Sequence, residues 1–253
     1  MLILLSPSKN IHNEPKIPVK EFTVPALMDE TEELMKGLKI LNKDDLAKLM
    51  KISEKLSTLN YERNQNFTTP FTNKNSTPAI FLFKGDVYAN MDIENYNHDD
   101  INFAQRHLRI LSGLYGSLRP LDLMQPYRLE MGCKFKNSRA THLYGFWETR
   151  ISDEINKSAN GEEIINLASN EYFSAIKPKD LKSRLITILL KQEKDGKVKT
   201  IGLMAKRARG MMADFVIKNK FADVEELKNF SESGYKYYPD LSSENEWVFI
   251  TKM

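Results

Sequence analysis

The sequence predicts a mixed α/β fold (α+β), one β-sheet surrounded by helices, and three observations carry that expectation. Short continuous apolar runs at 2–5, 79–83 and 164–168 have the length and composition of strands buried on both faces. Longer stretches between them place apolar residues three and four apart, the period of an amphipathic helix. Asp195-Gly196 separates two β-rich runs, 185–191 and 197–205, and this dipeptide favours a tight hairpin, which requires antiparallel pairing; the sheet is therefore mixed. With no repeat and no Gly/Ser/Pro-rich linker, residues 1–253 read as a single domain.

Taken in order, the run 2–5 is ended by Ser6-Pro7, and the turn that follows carries Ser8 and Lys9. A polar loop leaving a central strand is where ligand groups gather, and an exposed loop lysine is the plainer reading of Lys9. Residues 10–25 are proline-rich and read as extended, whereas 27–40 and 43–59 carry helical periodicity. The run 79–83 leads into Lys84-Gly85-Asp86, which puts a cation, a permissive backbone and a carboxylate together; a glycine turn with a local ion pair also fits. Asp99 and Asp100 begin the next helix, where negative charge suits the dipole. The stretch 142–157 is helical, with its aromatics read as core. After the run 164–168, Ser169 is placed to cap a short helix containing Glu171, and 247–250 forms a closing strand.

Between 101 and 126 an apolar stripe at Phe103, His107, Ile110 and Leu111 runs into Gly113-Leu114-Tyr115-Gly116, with Pro120 and Pro126 beyond. The pattern predicts helix, hairpin, helix. Gly113 and Gly116 at such a turn would let backbone N–H groups approach a phosphate, with Arg106, Arg109, Arg119 and Arg128 adding charge. An ordinary helical hairpin, with capping glycines and solvated arginines, fits the same residues, and the glycine spacing is one residue longer than the usual glycine–apolar–glycine.

The whole chain has a net charge of only +3, but residues 191–220 hold nine Lys or Arg against three Asp or Glu. The cluster peaks at Lys206-Arg207-Ala208-Arg209. Placed at the start of a helix over 211–220, these cations oppose its dipole, and a phosphate would offset that. A solvated basic face is the other reading. The lone cysteine, Cys133, rules out an intrachain disulfide framework, and His12, His98, His107 and His142 lack the spacing of a structural zinc site, so no metal or cofactor is expected. No window approaches the roughly 20 apolar residues of a membrane span, and the opening run is too short for a signal peptide. A cytoplasmic protein, monomeric and without membrane contact, is the expectation.

Five segments occur in a telling order: SPSK at 6–9, FKGDVY at 83–88, HLRILSGLYGSLRPLDLMQPYRLEMG at 107–132, NLASNEYF at 166–173 and AKRARG at 205–210. Together they resemble the YaaA peroxide-stress-response family over nearly the full length. The resemblance implies a cytoplasmic bacterial protein of the hydrogen peroxide response that binds duplex or branched DNA, assists its repair and lowers free intracellular iron. It also implies a "cantaloupe" fold with a basic cleft and a helix-hairpin-helix element, which maps here to about 101–126. The DNA-binding set is then Lys9, Lys84, Arg106, Arg109, Gly113, Gly116, Arg119, Arg128, Lys206, Arg207 and Arg209. Whether the chain is an enzyme stays open; a glycosylase-like nucleic-acid enzyme is the alternative, with Asp86, Asp122 or Glu171 as its carboxylate.

Overall fold

The computed structural model describes residues 1–13 and 15–252, so Glu14, within the segment read as extended, lies outside the described residues. Its centre is an eight-stranded sheet. Leu2–Leu5 pairs in parallel with Leu108–Ser112 on one side and with Ile164–Asn166 on the other. Ile164–Asn166 continues in parallel to Leu185–Lys194, and that strand to Glu246–Lys252. The remaining strands are antiparallel: Gly116–Leu118 on Leu108–Ser112, Lys236–Tyr237 on Glu246–Lys252, and Lys197–Lys199 on Leu185–Lys194. The expected mixed α/β architecture is present, with a mostly parallel centre. No residue of Leu2–Leu5 is more than 1% exposed, so both faces of the sheet are covered, as continuous apolar strands require.

Counted in chain order, the five parallel strands lie in the spatial order 2-1-3-4-5, one of the two common doubly wound orders. The chain steps from the first strand to the second on one side, then returns past the first to lay down the third. The switch point therefore falls between Leu2–Leu5 and Ile164–Asn166.

Local chemistry explains most of the surrounding elements. Asp195 and Gly196 both take positive φ, 53° and 71°, as the predicted hairpin demands. Asn42 and Asp45 form a capping box at Lys43–Met50, and Asn97 and Asp100 form one at His98–His107. The stretch 43–59 is two helices, Lys43–Met50 and Glu54–Asn66, because Lys51 turns the chain at φ 52°. Glu148 divides Leu143–Trp147 from Arg150–Ala159 in the same way, at φ 48°. Apolar periodicity runs through both breaks, which is why the pattern reads as single helices.

Three expectations are corrected. The run 79–83 is a single helical turn, Ala79–Leu82, followed by Phe83–Lys84, which pairs outside the main sheet with Asn10–Ile11. The helix carrying the basic cluster starts at Gly202, well before 211, so Lys206, Arg207 and Arg209 sit in its second and third turns and no longer oppose its N-terminal dipole. Most important, the helix-hairpin-helix is a helix followed by a β-hairpin: His98–His107 ends and Leu108–Ser112 enters the sheet, turning back as Gly116–Leu118. Every residue of Leu108–Ser112 is buried, and a strand buried on both faces satisfies the same apolar spacing as a helix.

Candidate functional site

At the carboxyl ends of the first and third parallel strands, Ser6 and Ser169 meet across the switch point. The Ser169 N–H donates to Ser6 Oγ at 2.8 Å, and the two hydroxyls are 3.2 Å apart. The Tyr88 hydroxyl donates to the Ser6 carbonyl at 2.9 Å and fixes the turn from the far side. Above this contact opens a cleft of about 220 Å³, whose walls include Lys9, Asp86, Glu171, Tyr172, Lys206 and Arg209. In open α/β sheets with this strand order, ligands bind at such a crevice.

Arg209 is the unusual wall residue. Its Nε is buried with no hydrogen-bond partner, and the guanidinium has no carboxylate within ion-pair distance among the described residues. Burial alone lowers its affinity for its proton. It is held there because Gly210, the next residue, packs its bare backbone against the Val87 carbonyl; a Cβ at that position would lie 2.0 Å from Val87 O. Lys206, one helical turn earlier, is exposed on the same wall. Arg207 reaches toward Asp86, with Nε 3.9 Å from Oδ1.

The two carboxylates are partly committed. Glu171 Oε1 accepts the Gly132 N–H at 3.0 Å, while Asp86 faces Arg207. Lys9, in the cleft wall, pairs with Glu130 at 3.1 Å, and Glu130 also receives Arg128 at 3.0 Å. Burial pushes the Glu130 carboxyl up, but Lys9 and Arg128 outweigh it and hold it below the usual range. Lys84 stands at the adjoining, larger cleft of about 610 Å³, which shares Gly85 with the first. Three loops far apart in sequence thus converge, and Lys9, Lys206 and Arg209 share one cleft.

The hairpin residues lie elsewhere and serve the fold. Arg109 is buried and caps the preceding helix, donating from Nη1 to the carbonyls of Gln105, Arg106 and Leu108 and from Nε to Ser158 Oγ. Arg119 is held by Asp122, at 2.8 Å, and by the Val24 carbonyl. Asp122 is 1% exposed and accepts Thr23 Oγ1 besides, so its oxygens are engaged in the fold. Gly113 and Gly116 are buried: a Cβ on Gly113 would meet the Leu129 carbonyl at 2.2 Å, and Gly116, at φ 69°, abuts Leu27 and Trp147. Only Arg106 remains exposed there. Residues 191–220 also spend charge on pairing, Lys218 with Asp92 and Lys220 with Asp100.

A sequence model of the family described as peroxide stress protein YaaA matches residues 1–241. The chain belongs to that family. Relatives named UPF0246 protein match end to end: one from Saccharophagus degradans is 49% identical and covers 100% of both chains. One from Alteromonas mediterranea is 50% identical over 99% of this chain and 98% of its own, and one from Acaryochloris marina is 47% identical over 98% and 99%. Among the described residues no helix is long and apolar enough to cross a membrane, and no three His, Cys, Asp or Glu side chains are grouped to hold a metal ion.

Ser6, Ser169, Tyr172 and Glu130 were not singled out as site residues from the sequence. Ser6 and Ser169 acquire their position from strand order, which no local motif encodes. Glu130 carried a weak signal, a lone acid inside an otherwise basic and apolar stretch at 126–136.

Proposed function

We propose that the chain acts in the peroxide stress response by binding duplex or branched DNA through phosphate contacts at the switch-point cleft, protecting the DNA or assisting its repair. The observation that supports this most is Arg209, half-buried with a sealed Nε and without a carboxylate partner among the described residues, beside the exposed ammonium of Lys206. A buried N–H without a partner costs stability, and a phosphate oxygen would supply the missing partner. Lys9, Arg207 and Lys84 flank the opening and would extend the contact along a backbone. Because these lysines and arginines would contact phosphates and not base edges, recognition is indifferent to sequence. Lowering of free intracellular iron belongs to this reading as a cellular consequence, without metal binding by the chain.

Fluorescence anisotropy with one labelled duplex and one four-way junction, titrated across salt, tests it. Affinity should fall steeply and linearly on a log–log plot and change little when the base sequence is scrambled. A flat salt dependence contradicts the proposal.

A second reading, a nucleic-acid enzyme acting on an extruded nucleotide, is favoured by one observation: Glu171 and Asp86 line the same cleft as Arg209. In that reading Glu171 is the general acid or base, and Asp122 is excluded from the role by its engagement with Arg119 and Thr23.

A further inference from the structure

Duplex DNA can touch the cleft of the DNA reading only from outside. At about 220 Å³ it has room for a phosphate group and part of a nucleotide, but not for a double helix. A backbone phosphate running over the surface reaches Lys206 and Arg207, which are exposed. Arg209 stands deeper, with its Nε sealed, so a terminal phosphate approaches it more closely than a backbone one. What can project into the recess is a group at the end of something: the phosphate of a free nucleotide, or that of a strand terminus.

The lining fits such a group. Lys206 and Arg209 have no carboxylate partner among the described residues, so two positive charges face the recess, matching a monoester dianion better than the single charge of a diester. Ser6 and Ser169 line the recess, and the Ser169 hydroxyl, which accepts from Ser6 Oγ, keeps its own proton to donate to a phosphate oxygen. Asp86 is drawn toward Arg207 and Glu171 toward the Gly132 amide, which limits their repulsion of an anion. Tyr172, largely buried, closes one wall of the recess.

From this juxtaposition we infer that the Ser6–Ser169–Arg209 recess binds the phosphate monoester of a single nucleotide. The inference rests on the cleft being the nucleic-acid site and narrows what enters it.

Calorimetric titration with deoxyadenosine 5′-monophosphate and with deoxyadenosine tests the inference. The nucleotide should bind and the nucleoside should not, and Arg209→Gln should weaken the nucleotide by at least ~10-fold, the loss of a hydrogen-bonded charge. The melting temperature of ligand-free Arg209→Gln should stay level or rise, because a sealed, unpaired Nε–H has been removed; a purely structural arginine would lower it. Equal binding of nucleotide and nucleoside, or unchanged affinity in Arg209→Gln, overturns the inference.

A short duplex carrying 5′-phosphate ends, the same duplex with 5′-hydroxyl ends, and a dumbbell without ends identify the source. Preference for the phosphorylated duplex points to a strand terminus, and indifference among the three, with the nucleotide still bound, points to a free nucleotide. Dumbbell binding with a steep salt slope but no nucleotide binding removes this inference and leaves the DNA reading standing. Nucleotide binding with no DNA binding does the reverse.

Discussion

Cys133 is the residue that a peroxide-linked family first brings to mind, and its surroundings argue against a redox role. Burial, then the negative charge of Glu130, pushes its thiol up to about 12, and its Sγ lies 3.5 Å from Glu130 Oε2. The thiolate is the reactive form, so the folded chain holds the cysteine inert. Alkylation by iodoacetamide at pH 8 should be at least ~100-fold slower in the native protein than in urea, followed by mass spectrometry. Rapid sulfenic acid formation at Cys133 under dilute peroxide would contradict this. Single residues were only partly legible. Arg209 appeared in the sequence as one of a basic cluster, yet nothing local distinguished it from Arg207; one faces Asp86 and the other has a sealed Nε, a difference fixed by residues more than a hundred positions away.

At the scale of elements, the helix Gly202–Asn219 sets the cleft wall, and Gly210 in its middle is what lets it approach Val87. Gly210→Ala ordinarily favours a helix, but here the added methyl meets a backbone carbonyl that cannot rotate away. The substitution should lower stability by ~1–3 kcal/mol in a urea titration and weaken DNA binding with it, since Lys206 and Arg209 ride on the displaced helix. A stabilised variant with full affinity would show that the close packing is unimportant. Strands buried on both faces were read well when short and isolated, as at Leu2–Leu5 and Ile164–Asn166. Leu108–Ser112 reads as helix in the sequence because it follows a helix directly and its leucines and isoleucine fit either period; Leu108, the C-cap, is already extended, at φ −118° and ψ 137°. The basic cluster's helix began earlier than expected because Gly202 through Ala205 lack a marked capping signal.

For the whole molecule, strand order matters most, because it brings Ser6 and Ser169 together, and it is the least legible feature: apolar runs reveal strands but not their neighbours. Ion pairing also acts at this scale. Burial raises the carboxyls of Glu130 and Asp100, yet Lys9 and Arg128 in one case and Lys220 and the Asn97 amide in the other hold them below the usual range. Burial lowers His107. For all three the unfolded chain binds protons more readily than the folded one, so stability is lost on acidification, beginning near pH 6.5 for the histidine and deepening below about pH 4.5 for the acids. Glu232, raised by burial, opposes the trend weakly. Urea midpoints between pH 8 and 3 should therefore decline in that order, and a midpoint that rises on acidification contradicts the assignment.

The central claim is that phosphate meets the switch-point cleft and not the glycine hairpin. The most direct test compares the salt dependence of DNA affinity for Lys206→Ala/Arg209→Gln with that for Arg106→Ala/Arg119→Ala, their melting temperatures measured alongside. Each lost phosphate contact lowers the log–log slope by about one unit, so the first pair should reduce it by about two and the second should leave it unchanged. A slope reduced by the hairpin pair and untouched by the cleft pair would contradict the account.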